Sequence, residues 1–339
     1  MKKNLRNILA LSLALMTTVS FAQDWNVDSR TRIDMTGDGD EMSTDQRATV
    51  GATWGGSDWG IHVSSDVNYT FEDESSPSLM LYEAYASTDL MGMASVTAGR
   101  QAISSGSGAL MSGNDWGASR TTWDGMTFGL NLDMAAITVG YHSMNDGGAD
   151  SNGVANADAG NMWVNAAGEF SGWNVNVLYM TDEAQDDNAT GIDISGEVMG
   201  AGISASMNTD FGGNEMRVIG LSYAVNDDMG VNVSQTTYSD EGAFNMAGTN
   251  MDGSWMETGG MGYLGAGDED LAFGLTYNMA GISMGATMHK VTNTLDDDYE
   301  RAVTEINLGY ALGDNAALGV TYAADEDDKY TWLTLTVTP

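Results

Sequence analysis

Polar and apolar residues alternate with a period of two along most of the chain. From Trp25 the odd positions read Trp, Val, Ser, Thr, Ile and Met, whereas the even positions from Asn26 to Asp34 are polar. The same alternation runs through residues 59–71 and returns in the segments WNVNVLY, LAFGLTY, ISMGATM, INLGY, LGVTY and LTLTV. Strict alternation predicts strands with one apolar face, so we expect an all-β protein.

The connections between these segments are of two kinds. Short ones such as GGSD, FSG, MAG, VNDD and LGDN predict hairpin turns. Long ones are acidic or rich in glycine, among them TGDGDEMST, FEDESSP and NDGGADSNGVANADAG. About 18 strands (16 is the other count we consider), with short turns at one end and long loops at the other, predict a transmembrane antiparallel up-and-down β-barrel with acidic extracellular loops.

Aromatic residues stand at the ends of the apolar stripes. Membrane-spanning barrels carry such girdles where the lipid meets water. A soluble β-sandwich would have a polar outward face, and a β-solenoid would show a fixed sequence repeat, which the chain lacks. The barrel is therefore favoured by the aromatic residues Trp54, Trp59, Trp173, Tyr223, Tyr277 and Tyr322.

The first 22 residues have the pattern of a secretory signal peptide. Lys2, Lys3 and Arg6 precede an apolar run that ends in the small-residue site Ser20-Phe21-Ala22. We expect cleavage after residue 22, with residues 23–339 forming the barrel. The expected location is the outer membrane of a Gram-negative bacterium.

Charge and composition limit the partners. Residues 1–22 hold three of the 12 basic residues and none of the 48 acidic ones, so nine basic residues remain in the predicted barrel. Such an acidic chain has little with which to neutralise phosphates, which argues against nucleic acid as a partner. There is no cysteine to form disulfides. We expect outer-membrane lipids and small hydrophilic solutes as partners, with the oligomeric state left open.

The polar half of each alternation is predicted to face the lumen. This places Arg30, Arg32, Arg47 and Arg301 inside, together with Asp66. Because the last strand must pair with the first, these arginines are expected on one wall, where they would set up a field across the pore. The alternative is a ladder of ion pairs that only solvates the interior.

The segments LYEAYASTDLMGMASVTAGRQ and GALMSGNDWGASRTTWDGMTF lie within residues 81–128. They share with a known family the residues Glu83, Tyr85, Gly99, Arg100, Gln101, Asp115, Trp116, Arg120 and Asp124. On these residues the chain resembles the alginate-export-type family of outer-membrane porins. The resemblance covers about 50 residues, with general barrel character elsewhere. It implies an 18-stranded barrel whose lumen arginines pass an acidic or hydrophilic solute. The overall acidity departs from that pattern, since it would repel a polyanion.

A glycine-rich segment, residues 103–123, forms the third long loop. It shows no apolar stripe that could face lipid. We expect it to fold into the pore and narrow it, which would bring Asp115 and Arg120 towards Arg100 and Glu83. The alternative is a solvated surface loop.

Three basic residues share a face with apolar residues near the long loops. They are Arg217, Lys290 and Lys329. We predict that they face lipid at the outer rim, where a lipid-facing cation costs little free energy and can pair with lipopolysaccharide phosphates. The alternative is ordinary snorkelling with no particular lipid.

The candidate residues for catalysis do not form a site. His62, His142 and His289 are far apart, and His62, Ser64 and Asp66 on one strand face are too widely spaced for a triad. We therefore predict no enzyme activity, cofactor or metal site. The sequence predicts a porin with a charged, loop-constricted pore that prefers cations. The alternatives are a dedicated oligosaccharide or organic-acid channel and a non-transporting surface-display or adhesin barrel.

Overall fold

The computed structural model describes residues 23–36, 42–71, 77–113, 120–132, 134–143, 160–182, 187–244 and 264–338. Within these ranges no helix is long and apolar enough to cross a membrane. The ordered elements are 18 β-strands. They are β1 (Gln23–Asp34), β2 (Ser43–Gly55), β3 (Trp59–Thr70), β4 (Ser78–Leu90), β5 (Ala94–Gln101), β6 (Trp123–Asn131), β7 (Ala136–Ser143), β8 (Gly160–Phe170), β9 (Trp173–Asp182), β10 (Asp187–Val198), β11 (Ala201–Thr209), β12 (Glu215–Ala224), β13 (Met229–Tyr238), β14 (Asp268–Met279), β15 (Ile282–Asn293), β16 (Asp296–Gly313), β17 (Ala316–Asp325) and β18 (Asp328–Val337).

The strands form one closed sheet. Each strand pairs antiparallel with its neighbours in sequence, and β1 also pairs with β18, with Arg32 opposite Thr334. Closure leaves no unpaired sheet edge, which is the condition for a sheet to span a bilayer. The prediction of an all-β, antiparallel up-and-down barrel of 18 strands is confirmed.

Alternate residues lie on two faces of the wall. One face carries exposed large apolar side chains, for example Trp59, Ile219 and Phe273. The opposite face holds smaller and polar residues, and side chains from the long connections pack against it from within the ring of strands. We call these the outer face and the inner face. The outer face is the lipid-facing surface that a membrane barrel requires.

The two ends of the barrel differ in their connections. At one end, eight short turns join β2 to β3, β4 to β5 and so on to β16 and β17. At the other end lie the longer connections, including residues 102–122 between β5 and β6, although β15–β16 and β17–β18 are joined there by only two residues each. β1 begins and β18 ends at the short-turn end, because an even number of strands returns the chain to its starting side. The asymmetry predicted from the sequence is therefore present.

Candidate functional site

Four arginines project from the inner face of neighbouring strands. Arg30 of β1 lies directly opposite Arg47 of β2, and Arg32 lies one step further along β1. Arg301 lies on β16, two strands before β18. We call these four residues the arginine wall. On the inner face of β4 to β15, the described residues include no lysine or arginine.

Acidic and aromatic groups hold parts of this wall in place. Arg301 forms a two-point ion pair with Asp325 on the adjacent strand, in which Nε lies 2.7 Å from Oδ1. The guanidinium carbon of Arg32 lies 5.1 Å from the ring centroid of Trp332, which is the geometry of a cation–π contact. These contacts restrict the side chains, so the positive charges have fixed positions.

The connection between β5 and β6 crosses the lumen. At its far end Arg120 donates from Nε to Asp66 Oδ2 of β3 at 3.0 Å and from Nη2 to Thr49 Oγ1 of β2 at 2.9 Å. The guanidinium carbon also lies 3.3 Å from the centroid of the Tyr82 ring. The side chains of Arg120 and Asp66 are only 7% and 1% exposed. Arg120 therefore extends the arginine wall from the loop.

The tip of the same loop reaches the opposite wall. Asn165 of β8 donates to Ser105 Oγ at 2.7 Å, and Oγ of Ser206 on β11 lies within hydrogen-bond distance of Ser107 Oγ, at 3.3 Å. Gly106 between them has a φ of +56° and lies against Asp193, so a Cβ at this position would collide with that carboxylate. One loop can contact β2 and β3 as well as β8 to β11 only by passing through the inside of the barrel.

An apolar cluster fixes the middle of the loop. Leu110 and Met111 are 1% and 0% exposed and pack on inward side chains of the barrel. Phe244, from the connection between β13 and β14, joins the same cluster. The sequence showed no apolar stripe in this loop, but in its described part Ile103, Ala109, Leu110 and Met111 all belong to this cluster or pack against it. The other barrel residues of the cluster are Trp123, Trp163, Leu178, Met180, Ala189, Met216 and Tyr238.

Glu83 supports the base of the loop. Its Oε1 accepts a hydrogen bond from the backbone N–H of Ala102 at 3.0 Å, at the point where β5 ends. Its Oε2 lies 3.7 Å from Nε2 of His62, whose ring stacks on Tyr85. The structure thus brings Glu83 to the loop through the backbone and not through Arg120.

A recess of about 690 Å³ lies beside the loop tip on the inner face of β8 to β11. Asp193 supplies a carboxylate whose Oδ1 accepts a hydrogen bond from Ser206 at 2.6 Å. Glu169 supplies a second carboxylate, hydroxyl and amide groups make up the rest of the polar lining, and no arginine or lysine takes part. The loop therefore separates a wall with fixed positive charges from one with carboxylates and neutral hydrogen-bonding groups.

Arg100 does not line the lumen as the sequence had suggested. It lies opposite Asp124 in the pairing of β5 and β6, on the face that carries Met126 and Phe128. It donates from Nε to Asp124 Oδ1 at 2.8 Å and from Nη2 to Asp124 Oδ2 at 2.6 Å. The prediction placed Arg100 at the constriction from the family resemblance and its position beside the loop, and not from the alternation along β5. Gln101 takes the inward position, so its neighbour Arg100 must point outward.

The predicted grouping of Arg120 with Arg100 and Glu83 is also wrong. Arg120 binds Asp66 and Thr49 instead, because the loop leads it back across β3 and β2. Asp115 lies outside the described residues. Arg30, Arg32, Arg47, Arg301 and Asp66 lie on the inner face as predicted from the alternation. Their part in solute passage stays a prediction.

The three predicted rim residues lie on the outer face. Arg217 pairs in register with Met207, and Lys290 with Leu271, both of which are exposed apolar residues. Lys329 has the same phase as Leu333. Arg217 and Lys290 form ion pairs with the neighbouring carboxylates Glu215 and Glu300. Contact of any of them with lipopolysaccharide stays a prediction.

The histidines lie on separate strands, β3, β7 and β15, and have different partners. His142 accepts a hydrogen bond from Trp163 Nε1 at 2.9 Å inside the apolar cluster, whereas His289 lies 2.9 Å from Asp270. No group of three or more histidine, aspartate or glutamate residues in the described ranges is arranged to hold a metal ion.

No protein-family model matches the sequence, and no curated protein sequence matches it. Solved structures do match. OccD3 (OpdP) of Pseudomonas aeruginosa superposes with a TM-score of 0.71 at 12% identity, over 95% of this chain and 92% of that one. The outer membrane protein OpdK of the same organism gives 0.70 at 11% identity, over 93% of this chain and 98% of that one.

A third similar structure comes from another genus. OccAB1 of Acinetobacter baumannii gives a TM-score of 0.66 at 11% identity, over 94% of this chain and 96% of that one. At sequence identities this low, the superposition shows that the folds are alike and shows nothing about function. The resemblance of residues 81–128 to alginate-export-type porins stays a prediction. The chain has the closed 18-stranded barrel fold of these bacterial outer-membrane proteins.

Proposed function

We propose that the protein is an outer-membrane porin of a Gram-negative bacterium, exported by the signal peptide in residues 1–22. It lets small hydrophilic solutes diffuse through a constriction formed by the loop between β5 and β6. The observation that carries the proposal is the attachment of this loop to both walls, through Arg120 on Asp66 and through Ser105 on Asn165. A loop held at both ends inside a barrel narrows the lumen without closing it.

The proposed constriction carries a transverse field. Arg120 and the arginine wall supply positive charge on one side, and Asp193 supplies negative charge on the other. Between walls of low dielectric constant, such an arrangement orients polar solutes and excludes apolar ones. The proposed substrates are therefore hydrophilic molecules with a dipole or with separate charged groups.

The proposed channel prefers cations. Acidic residues on the inner face outnumber the five inner arginines, so the mean potential in the lumen is negative. The reversal potential of a single channel in a salt gradient tests this preference, and a value on the anion side would contradict it. The inner acids include Asp28, Asp34, Asp45, Asp66, Glu83, Glu169, Asp193, Glu197, Asp268, Asp270, Glu305 and Asp325.

Conductance in planar bilayers tests the proposed function itself. The refolded protein should give stable, ohmic single-channel steps, and proteoliposomes should swell with small sugars and not with large ones. A protein that inserts but conducts nothing would instead be a surface-display or adhesin barrel. Insertion is checked in parallel by resistance of the protein to extraction with alkaline buffer.

A second candidate is a channel selective for organic acids. It is favoured by the direct opposition of Arg30 and Arg47, which gives two guanidinium groups that one carboxylate could bridge. The stacking of Arg32 on Trp332 places an aromatic surface beside them. One OpdK structure was solved with vanillate, an aromatic carboxylate. Block of the ionic current by millimolar benzoate, but not by benzyl alcohol, would support this candidate.

The proposed lipid partner is lipopolysaccharide at the outer rim. Arg217, Lys290 and Lys329 lie on the outer face near the long-loop end, where cations meet the phosphates of the outer leaflet. Replacing all three with Gln should reduce the lipopolysaccharide that purifies with the protein and leave conductance unchanged. Unchanged lipopolysaccharide would assign these side chains to ordinary snorkelling.

A further inference from the structure

Four consecutive short turns on one side of the barrel carry apolar residues. They join β4 to β5, β6 to β7, β8 to β9 and β10 to β11, and we call their described residues the apolar rim (residues 90–93, 132, 134–135, 170–172 and 198–200). Methionine stands at three of the turns, whereas the β8–β9 turn has Ser171 next to the exposed Phe170. Met199 is 99% exposed and Met91 is 89% exposed. Met93, Met134 and Leu132 are also mostly exposed. These side chains stand at the extreme end of the molecule, beyond the last paired residues of the strands.

Local backbone preference does not explain these methionines. Met91 and Met199 have φ values of 58° and 54°, and each precedes a glycine that also has positive φ. Two consecutive residues with positive φ make a type I′ hairpin turn, whose first position favours Asn, Asp or Gly. A long side chain there is strained. The methionines therefore stand at these positions against the preference of the turn, a cost that contact with an apolar environment would offset.

Charge separates the apolar rim from other short turns. In a chain with 48 acidic residues, Asp133 is the one charged residue in the sequence of these four turns. By contrast, the β2–β3 turn contains Asp58, the β12–β13 turn contains Asp227 and Asp228, and the β16–β17 turn contains Asp314. The β14–β15 turn is the exception, because it has no charge and lies between the exposed Met279 and Ile282. The short-turn end thus has one unbroken run of apolar turns, from β4 to β11, and three charged turns elsewhere.

The apolar rim continues the lipid-facing surface without a break. Leu90, Phe170 and Val198 are exposed residues at the ends of their strands, and each is followed at once by the turn. Phe128 and Tyr179 lie further up the outer face on the same side of the barrel. The outer face is the surface that contacts lipid, and the apolar residues of these turns extend that surface beyond the ends of the strands.

We propose that the apolar rim is immersed in the boundary between headgroups and acyl chains of the periplasmic leaflet. The inference rests on the proposed location in the outer membrane. Apolar side chains a few ångströms below the headgroups are removed from water, which lowers the free energy. The backbone of the turn keeps its own hydrogen bonds there, so its immersion adds little cost. The polar turns that contain Asp58 and Asp314 remain in water. The barrel therefore sits deeper on the β4–β11 side, and its periplasmic mouth opens obliquely.

The absence of cysteine makes the immersion directly measurable. Single variants Met91→Cys and Met199→Cys are labelled with a nitroxide and reconstituted at low protein-to-lipid ratio in vesicles of phosphatidylethanolamine and phosphatidylglycerol. Ser57→Cys and Asn315→Cys in the polar turns serve as matched controls. Power saturation with oxygen and with a water-soluble nickel chelate reports the depth of each label. Labels at 91 and 199 should favour oxygen over the chelate several-fold more than the controls do.

The outcomes separate this inference from the proposed function. A conducting channel in which labels at 91 and 199 are as accessible to the nickel chelate as the controls would overturn the immersion alone. Dipolar broadening between labels at position 91 would show that a second copy of the chain covers the rim, which also overturns it. A protein that fails to insert into vesicles would overturn both proposals.

Discussion

The guanidinium group of Arg120 forms a two-point ion pair with the carboxylate of Asp66, 54 positions earlier in the chain. Thr49 completes the site by donating to Asp66 Oδ1 at 2.8 Å while it accepts from Arg120. All three side chains are almost fully buried. A buried pair with satisfied hydrogen bonds has one favoured geometry, so it fixes where the loop meets the β2–β3 wall.

Removing the charge of Asp66 should release this end of the loop. Asp66→Asn leaves the Arg120 guanidinium without its counter-ion, and breaking one side of a buried pair costs about 3–5 kcal/mol. We expect larger and noisier single-channel currents than in the unmodified protein, because the loop then samples several positions. Open-channel noise in planar bilayers is the measurement.

The matched control is Asp124→Asn, which breaks the Arg100 ion pair on the outer face. It makes the same chemical change at a site that does not touch the loop tip. Equal noise in the two variants would show that the effect comes from general loosening of the barrel and not from the loop.

Gly106→Ala should displace the loop tip from the opposite wall. A Cβ at this position would collide with the Asp193 carboxylate, and its φ of +56° also disfavours alanine. We expect higher conductance and an altered recess beside Ser107. Gly113→Ala, where the nearest atom is the Cβ of Ala102 at 3.6 Å, is the control and should leave conductance unchanged. Normal conductance in both variants would mean that the tip does not limit the pore.

The alternation was sufficient to predict the barrel. A lipid-facing strand must be apolar at every second position, so the alternation identifies which residues lie on the outer face. The positions of Arg30, Arg32 and Arg47 followed from the same phase, together with the pairing of β1 and β18. These features depend on local pattern and on closure, which are the two things that a single sequence shows well.

The interior was harder to predict, because it is built from contacts between distant parts of the chain. Met162, Trp163 and Val164 are apolar in succession, as are residues 177–180, and such runs signal a strand with both faces covered. That signal could have revealed the inner apolar cluster. No local pattern in the sequence indicates the partner of Arg120, since Asp66 lies on β3, two strands away from the start of the loop at the end of β5. Arg100 was misplaced because its outward carboxylate partner, Asp124, satisfies it on the outer face.

Leu110→Ala should weaken the packing of the loop in the apolar cluster. Leu110 is fully buried against inward barrel residues, and such truncations cost about 2–5 kcal/mol. We expect protease to cleave the loop at a lower denaturant concentration than in the unmodified protein, while the strands stay resistant. Leu132→Ala, at an exposed position of a short turn, is the control. Equal protease resistance in both variants would contradict a role for the cluster in holding the loop.

Ion selectivity should distinguish inner from outer arginines. Arg47 is 8% exposed on the inner face opposite Arg30, so its charge contributes to the potential along the lumen. Arg47→Gln removes one of five inner positive charges and should shift the reversal potential in a salt gradient further to the cation side. The shift should be larger at low ionic strength, because screening by salt shortens the range of the field.

Arg100→Gln makes the same substitution at the outer face, where the guanidinium is paired with Asp124 and separated from the lumen by the barrel wall. Its reversal potential should equal that of the unmodified protein at every salt concentration. If Arg100→Gln shifts the reversal potential as much as Arg47→Gln does, the two arginines act on the same ion path. That result would refute the assignment of Arg100 to the lipid-facing side.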